Sequence, residues 1–550
     1  MQFVLKMLTI QKWLEGVGRN RQQVLDCPSW PPDLFAICAS LLKRSGTYLR
    51  IFERGPRRPG WTAACDAGRT WRKSIDSHKG VSAANLQGVV PREVRRDWTI
   101  LIKSQDTGVS EIVNNLKLID VLIRLALTAD AASDRIGIGT DQTPFFIAAQ
   151  AFLDYNKSTS FTWSVPSDSV CVLGKQHTPQ RGATLRSMSH NLALYLPNDI
   201  EARWIGPYPN PIAGDDGKTL NLLLLPWPEC LASGDFRPAS ASTETDVEAR
   251  WFEYEPVSPL PLKKFKRRLT KAIGVASRNA RRVDAIVFPE LALSTWEYTE
   301  ASRIAVEHGI MLIAGVRVAE KGGTQGVNTC MVQAVGGALA KHADRRRAVP
   351  ALGWSQSKHH RWCLDPDQMR TYQLSGQIAA VDDVWESTRL GPRILHFITL
   401  GWWMTWSVLI CEDLARQDPA ADLIRTVGPN LLIALLMDGP QLSGRWPSRY
   451  ASVLAEDPGT SVLTLTSLGM ALRSRPVKKG TGRRTEAIRS IALWRDVESG
   501  EHEIVLDPED NACLLSLVCR TKKEFSAADP ISPREAHFPV FAGYSSFRVE

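Results

Sequence analysis

A carboxylate, an ammonium and a thiol stand at or near the ends of short apolar runs in this chain. Glu290 lies in DAIVFPELAL, Lys358 in WSQSKHH and Cys411 in WSVLICEDLA. Together these groups could attack a carbon bound to nitrogen. A carboxylate within hydrogen-bond reach can take the thiol proton. A cation beside the attacked carbon can stabilise its new negative charge. An ordinary thiol has a pKa of about 8.5, so a neighbouring cation such as Lys358 would bring thiolate forward at neutral pH. Each residue also has a plain structural explanation. Glu290 could cap a following helix. Lys358 could be a solvated loop residue beside His359, His360 and Arg361, and Cys411 an inert core thiol.

The elements around them decide how these residues could meet. DAIVF runs into Pro289 and Glu290, and SVLI runs into Cys411. Both read as strands that deliver a reactive group at their carboxyl ends, where open α/β folds collect such groups. After Glu290, STWEYTEASRIAVEHGI has helical spacing, and MLIAGVRV and VNTCMVQAV read as strands. ILHFITL, a break at Gly401 and WWMTWSVLIC predict a hairpin carrying the thiol. LLIALLM fits a fully covered strand. RWPSRYASVLAED predicts a helix and SVLTLTS another strand.

The order Glu290, Lys358, Cys411 and this alternation resemble the nitrilase, or carbon–nitrogen hydrolase, superfamily over roughly the C-terminal three-fifths of the chain. The resemblance implies an α/β fold, a nitrilase-like four-layer αββα sandwich, preceded by a mainly α-helical N-terminal domain. It implies a Glu-Lys-Cys triad that hydrolyses a non-peptide C–N bond, amide rather than nitrile, through a Cys thioester and with no cofactor. It also implies a homo-oligomer. Where many members carry a second glutamate shortly after the lysine, the segment LDPDQMRTYQL places Gln368, flanked by Asp365 and Asp367. A neutral amide can accept a hydrogen bond from the lysine but cannot act as a base. Glu412, next to the thiol, could face the substrate. Asp413 reads as a helix-dipole charge. Trp446, with Arg445 and Arg449, holds the place of a Trp and basic residues common after the Cys strand. The other reading is a non-catalytic scaffold or sensor with the same fold. The DGPQL and RWPSRYASVLAEDPGTSVLTLTS stretches look like nitrilase-like modules of bacterial reverse-transcriptase defence systems, which suggests a role in antiphage defence.

Length and composition set the frame. At 550 residues the chain should form more than one folded unit. We divide it at the break PYPNPIAGDDGK into residues 1–215, residues 216–530 and a C-terminal tail, 531–550. Within the first part, SEIVNNLKLIDVLIRLALTAD and PFFIAAQAFLDY have helical periodicity. LGKQHTPQRGATLRSMSHNLAL, with Lys175, His177, Ser189 and His190, reads as a polar linker leading into a helix. The ten cysteines are irregularly spaced, which excludes a disulfide scaffold and suits a reducing cytoplasm. No run approaches membrane-spanning length. The net charge of +9 is concentrated in KKFKRR (263–268), RRR (345–347) and VKKGTGRR (477–484). These could neutralise nucleic-acid phosphates, but none is interleaved with aromatics, and solvated faces are the favoured reading. His359 and His360 with Cys363 lack zinc-ligand spacing, so no metal is implied. Trp402, Trp403 and Trp406 could wall a pocket, with Trp402 and Trp406 on one strand face and Trp403 on the other.

Overall fold

The computed structural model describes residues 8–47, 60–78, 86–137, 143–149, 160–166, 168–179, 184–195, 200–208, 218–239, 251–280, 282–319, 326–334, 352–374, 378, 382–400, 403–477, 483–529 and 532–550. Trp402, the RRR cluster and residues 478–482 of the last basic cluster lie outside them. Apolar runs without polar alternation form strands covered on both faces. Leu431–Leu436 and Ser461–Thr466 are buried at every position. The period of two then sorts side chains between cores. Leu220, Leu222 and Leu224 enter one core while Leu223 enters the other, and Ala285 and Val287 part from Ile286 and Phe288 in the same way.

Two seven-stranded sheets result. The first runs, in spatial order, through Leu352–Ser357, Val327–Ala334, Met311–Val318, Ala285–Ser294, Thr219–Leu224, Ala512–Glu524 and Arg534–Phe547. The second runs through Gly500–Val505, Ser490–Asp496, Ser461–Thr466, Leu431–Leu436, Met404–Ile410, Ile394–Leu400 and Glu201–Tyr208. They pack face to face. Helices Leu262–Asn279 and Thr295–Glu307 cover the outside of the first sheet, and Trp446–Glu456 packs on the second. This is the four-layer αββα sandwich expected. The KKFKRR cluster lies on the helix Leu262–Asn279, whose buried residues include Phe265 and Leu269.

Two stretches read as peripheral are structural. Arg534–Phe547 is no tail: it pairs with Ala512–Glu524 along its whole length and buries Phe538 and Val540. Its polar residues alternate with apolar ones because only one face is covered, and that pattern hides it in a sequence. Glu201–Tyr208, before the expected boundary, joins the second sheet in parallel with Ile394–Leu400.

The N-terminal region is helical, with Pro31–Arg44, Trp61–Asp76 and Arg92–Lys103 packed on Leu116–Ala132. It continues into a hairpin of Cys171–Gly174 and Leu192–Tyr195. Asp130 ties the two together by accepting from the backbone N–H groups of His190, Asn191 and Leu192 at 2.7–2.8 Å. The expected polar linker is packed instead. Lys175 and His177 are buried, Lys175 donating to Arg186 O at 2.6 Å and His177 Nδ1 lying 3.1 Å from Glu524 Oε1. Buried polar groups persist when each finds a partner, and these do. Among the described residues no helix is long and apolar enough to cross a membrane.

The pairing of the last strand makes a test. Deleting residues 531–550 uncovers a sheet edge and removes Phe538 and Val540 from the core. At about 1.5–3 kcal/mol for each large apolar side chain, with the main-chain ladder lost as well, the change is a large part of a typical stability of about 5–15 kcal/mol. The shortened chain should be insoluble or melt without a cooperative transition by circular dichroism. A Tm within about 3 °C of the full chain would show that the strand is dispensable.

Candidate active site

Glu290, Lys358 and Cys411 come from three strands, and the fold brings them together where the two sheets meet. Glu290 lies in Ala285–Ser294, whose pairing with Met311–Val318 shifts register between Phe288 and Leu293. The resulting bulge puts Leu291 at φ 53° and turns the Glu290 carboxylate into the protein. Gly315 makes room for it. A Cβ there would lie 2.3 Å from Pro289 O and 2.5 Å from Glu290 Cα. Lys358 follows Leu352–Ser357, and its N–H donates to Asn328 O at 3.0 Å. Cys411 follows Met404–Ile410 at φ 47°, ψ −105°, and its N–H donates to Leu435 O at 2.8 Å. A non-glycine residue at positive φ is held there by its surroundings, at a cost of about 1–3 kcal/mol. All three side chains are buried.

The ammonium of Lys358 is shared between two carboxylates. It donates to Glu290 Oε1 at 2.8 Å and to Glu386 Oε2 at 2.6 Å. Asn328 Nδ2 bridges the same pair, 2.8 Å from Glu290 Oε1 and 2.8 Å from Glu386 Oε1. Trp362 N–H adds a third donor to Glu386, at 3.0 Å. The two carboxylates therefore differ. Both oxygens of Glu386 are occupied, whereas Glu290 Oε2 is buried with no protein partner. Glu386 is thus held on every side, while Glu290 retains one unpartnered oxygen.

Burial pushes the Glu290 carboxyl above its usual range, and Glu386 adds to this while Lys358 works against it. Burial also opposes the charged form of Lys358, but Glu290 and Glu386 outweigh it and hold that ammonium well above its ordinary value. The Cys411 thiol is pushed well up, by burial first and then by Glu290, against Lys358 and the Met437 backbone N–H that bonds the sulfur. The resting site thus holds a neutral thiol and a charged lysine.

A small four-stranded sheet walls the site, formed by Cys363–Leu364, Val384–Glu386, Trp251–Tyr254 and Phe236–Pro238. Glu386 ends the second of these. Behind it Phe252, Trp362, Tyr372 and Met437 form an apolar cluster that extends to Leu291. Tyr372 donates to Asp438 Oδ1 at 2.5 Å, and Arg445 Nη2 donates to the same oxygen at 3.0 Å.

Other expected site residues fall elsewhere. Gln368 does not take the place of a second glutamate: its side chain accepts from Asp365 N–H at 3.3 Å in a capping box at the start of Pro366–Thr371. The carboxylate on the lysine is Glu386, 28 residues after it rather than ten. Glu412 pairs with Arg416 at 2.5 Å. Trp446 packs edge-on against Tyr450. Trp403 and Trp406 are both buried in the apolar core, Trp406 on the face toward Leu220 and Leu222 of the other sheet. Asp413 is more than a dipole charge. It is buried and accepts from His359 N and His360 N at 3.0–3.1 Å and lies 3.0 Å from His360 Nδ1, which fixes the backbone after Lys358. Among the described residues no group of three or more His, Cys, Asp or Glu could hold a metal. Sequence reasoning missed Glu386 and Asn328. The one sign of Asn328 was a polar residue opening the apolar strand VNTCMVQA.

No family model matches the chain, and no curated protein matches it. Among solved structures it is similar to an amidase from Nesterenkonia sp., with 11% identity over 55% of this chain and 91% of that one and a TM-score of 0.31. A mutant of an amidase from Nesterenkonia sp. AN1, with the acetamide moiety of fluoroacetamide added at its active-site cysteine, has 11% identity over 57% and 94%, at 0.31. A carbon–nitrogen hydrolase from Helicobacter pylori G27 has 12% identity over 58% and 89%, at 0.30.

Gly315 gives a test that alters none of the reactive groups chemically. In Gly315→Ala the new methyl must displace the bulge at Glu290. Overpacking of this kind costs about 1–3 kcal/mol, and a shift of about 1 Å at a positioned group can cost roughly 100-fold in rate. Chemical denaturation should show the stability loss. The reactivity of Cys411 toward iodoacetamide should change, while that of exposed Cys230 should not.

Proposed function

We propose that the protein hydrolyses a C–N bond of a small non-peptide amide through a thioester on Cys411. The observation that carries this reading is the free Oε2 of Glu290, in a carboxylate whose other oxygen is held by Lys358 and Asn328 and whose charge acts on the Cys411 thiol. In this reading Glu290 takes the thiol proton as sulfur attacks the carbonyl carbon. Lys358, with a backbone N–H at the thiol turn, stabilises the oxyanion. Glu290 gives the proton to the nitrogen of the tetrahedral intermediate, the C–N bond breaks, and the amine or ammonia departs to leave the thioester. The same carboxylate then removes a proton from water, which attacks the thioester. The acid leaves and the thiol is restored. Exclusion of water strengthens each electrostatic contact in a site this buried.

The same burial favours a second reading, a nitrilase-like scaffold or sensor in which Cys411 is never turned over; the residue is 3% exposed. Covalent chemistry separates the two. Incubation with small amides and acid quenching should add an acyl mass to the wild type, mapped to Cys411. Cys411→Ala should lose both the adduct and turnover while keeping its melting behaviour. An amide panel that gives neither turnover nor adduct would favour the scaffold.

Two further outcomes follow from the electrostatics. Glu386→Gln weakens the ion cluster, and because breaking a buried pair costs about 3–5 kcal/mol, kcat/KM should fall at least about 100-fold with a loss of stability. The base must be ionised to act, and its pKa is raised. Activity should therefore fall with decreasing pH through a limb above the ordinary glutamate value of about 4.3. At the other end Lys358 must stay charged, and its raised pKa puts that limb above about 10.4. An acid limb at or below the ordinary glutamate value would remove Glu290 as the base.

A further inference from the structure

Asn328 stands between the two carboxylates that hold Lys358, and both of its amide hydrogens are used there. Nδ2 lies 2.8 Å from Glu290 Oε1 and 2.8 Å from Glu386 Oε1. A carboxamide nitrogen carries two hydrogens, so each carboxylate receives one. Ionised carboxylates only accept, which fixes the nitrogen rather than the oxygen of the amide on their side. The amide oxygen, Oδ1, is buried without a protein partner. An unpaired buried acceptor costs about 1–3 kcal/mol, so the residue is not there for a bond that its oxygen makes. Its main chain is held on both sides as well. The N–H donates to Thr388 Oγ1 at 3.0 Å, and the carbonyl accepts from Lys358 N–H at 3.0 Å. Thr388 lies two residues beyond Glu386, so this one residue is tied to all three members of the ion cluster.

The charges show what the amide prevents. The titratable groups that face Glu290 are Lys358, Glu386 and Cys411. Arg317, on the neighbouring strand, is engaged by Leu291 O, Glu255 and Glu297. Two carboxylates drawn onto one ammonium can share a proton, and they then titrate as a pair rather than singly. A proton held between Glu290 and Glu386 would tie the base to its neighbour. With an N–H directed at each facing oxygen, that position is filled. Glu290 Oε1 takes the donors of Lys358 and Asn328, and Oε2 is the oxygen left without a protein partner.

We propose that Asn328 is a positioning residue that insulates Glu290 from Glu386, so that protons enter and leave Glu290 at Oε2 alone. The proposal rests on the base role given to Glu290 above. Asn328 acts through that carboxylate and not on the reacting carbon.

Infrared difference spectra across a pH titration test this without turnover. They read the carboxylic-acid C=O band of Glu290, identified by its loss in Glu290→Gln. Asn328→Ala removes a donor to the ionised form, so the midpoint of that band should rise by about one pH unit or more. The acid limb of kcat/KM should move up with it. At a fixed pH below the limb the loss is then about tenfold or more, and raising the pH should restore most of it. A merely structural loss of activity would not recover in that way. Asn328 is buried, so Thr388→Val serves as a second variant, which keeps the amide and removes the acceptor of its main-chain N–H. Its midpoint should move in the same direction by a smaller amount. The proposal fails if folded Asn328→Ala has a midpoint lower than the wild type or within about 0.3 unit of it. Where that variant does not fold, an unmoved midpoint in Thr388→Val overturns it. A wild-type band in the ordinary glutamate range is a different failure, which removes Glu290 as the base before Asn328 is changed.

Discussion

Lys358 carries an ammonium to a place only 1% exposed to solvent, and much of the surrounding structure is what that burial requires. An ion taken out of water costs several kcal/mol unless partners replace its hydration. The replacements come from two elements distant in sequence, Glu290 in a bulged strand and Glu386 at the end of a three-residue strand, and Asn328 holds these two carboxylates together. Two carboxylates against one ammonium leave an excess of negative charge, and Glu290, the one with a free oxygen, is shifted toward its protonated form. Well-packed apolar residues would give equal or better stability at such a place. Stability alone therefore does not account for the cluster. The base role proposed above for Glu290, whose Oε2 has no protein partner, would account for it.

Holding that geometry constrains the backbone at each contributor. Glu290 is aimed by a bulge that only a glycine at 315 accommodates, and Cys411 by a turn at positive φ. Asp413 links the two sheets across the site. It stands two residues after the thiol, in the second sheet's turn, and grips the main chain directly after Lys358, in the first sheet. Thiol and ammonium are thus referenced to each other through one buried carboxylate, which limits independent movement of either. Thr388 does the same for Asn328 by accepting its N–H at 3.0 Å. Positioning by buried second partners of this kind sets how closely reactive groups can be held.

What the sequence made legible follows the strength of the local signal. Glu290 and Cys411 could be picked out because long apolar strands, AIVF and SVLI, lead to them, and a charged or reactive residue is conspicuous there. Glu386 gave no such signal. It ends VWE, in a polar stretch, and reaches Lys358 only because the small sheet folds over the site. Expecting the second carboxylate soon after the lysine drew attention to Gln368, whose neighbours Asp365 and Pro366 mark a helix start instead. The central strands were legible because both of their faces are buried. Arg534–Phe547 and Glu201–Tyr208 were not, because edge strands covered on one side mix polar and apolar residues, as loops do. Likewise the polar segment around Lys175 and His177 looked like a linker, since only the fold shows that Glu524 and Arg534, some 350 residues later, supply its partners.

Those edge strands also bear on how the helical region relates to the sandwich. Without Glu201–Tyr208, the strand Ile394–Leu400 would be the edge of the second sheet, with a row of unpaired backbone groups. Bare edges of that kind recruit other strands and aggregate. The helical region also shares a single apolar core with the space between the sheets, through residues such as Phe161 and Trp204, which packs on Phe397 at 4.8 Å between ring centres. It is therefore joined to the sandwich by main-chain pairing and by core at once. Ile394–Leu400 pairs in turn with the strand that ends at Cys411, so the N-terminal region reaches the thiol through two consecutive strand ladders. A displacement of Glu201–Tyr208 would therefore act first on Ile394–Leu400, the partner of the thiol strand, and only through it on the strand that ends at Cys411.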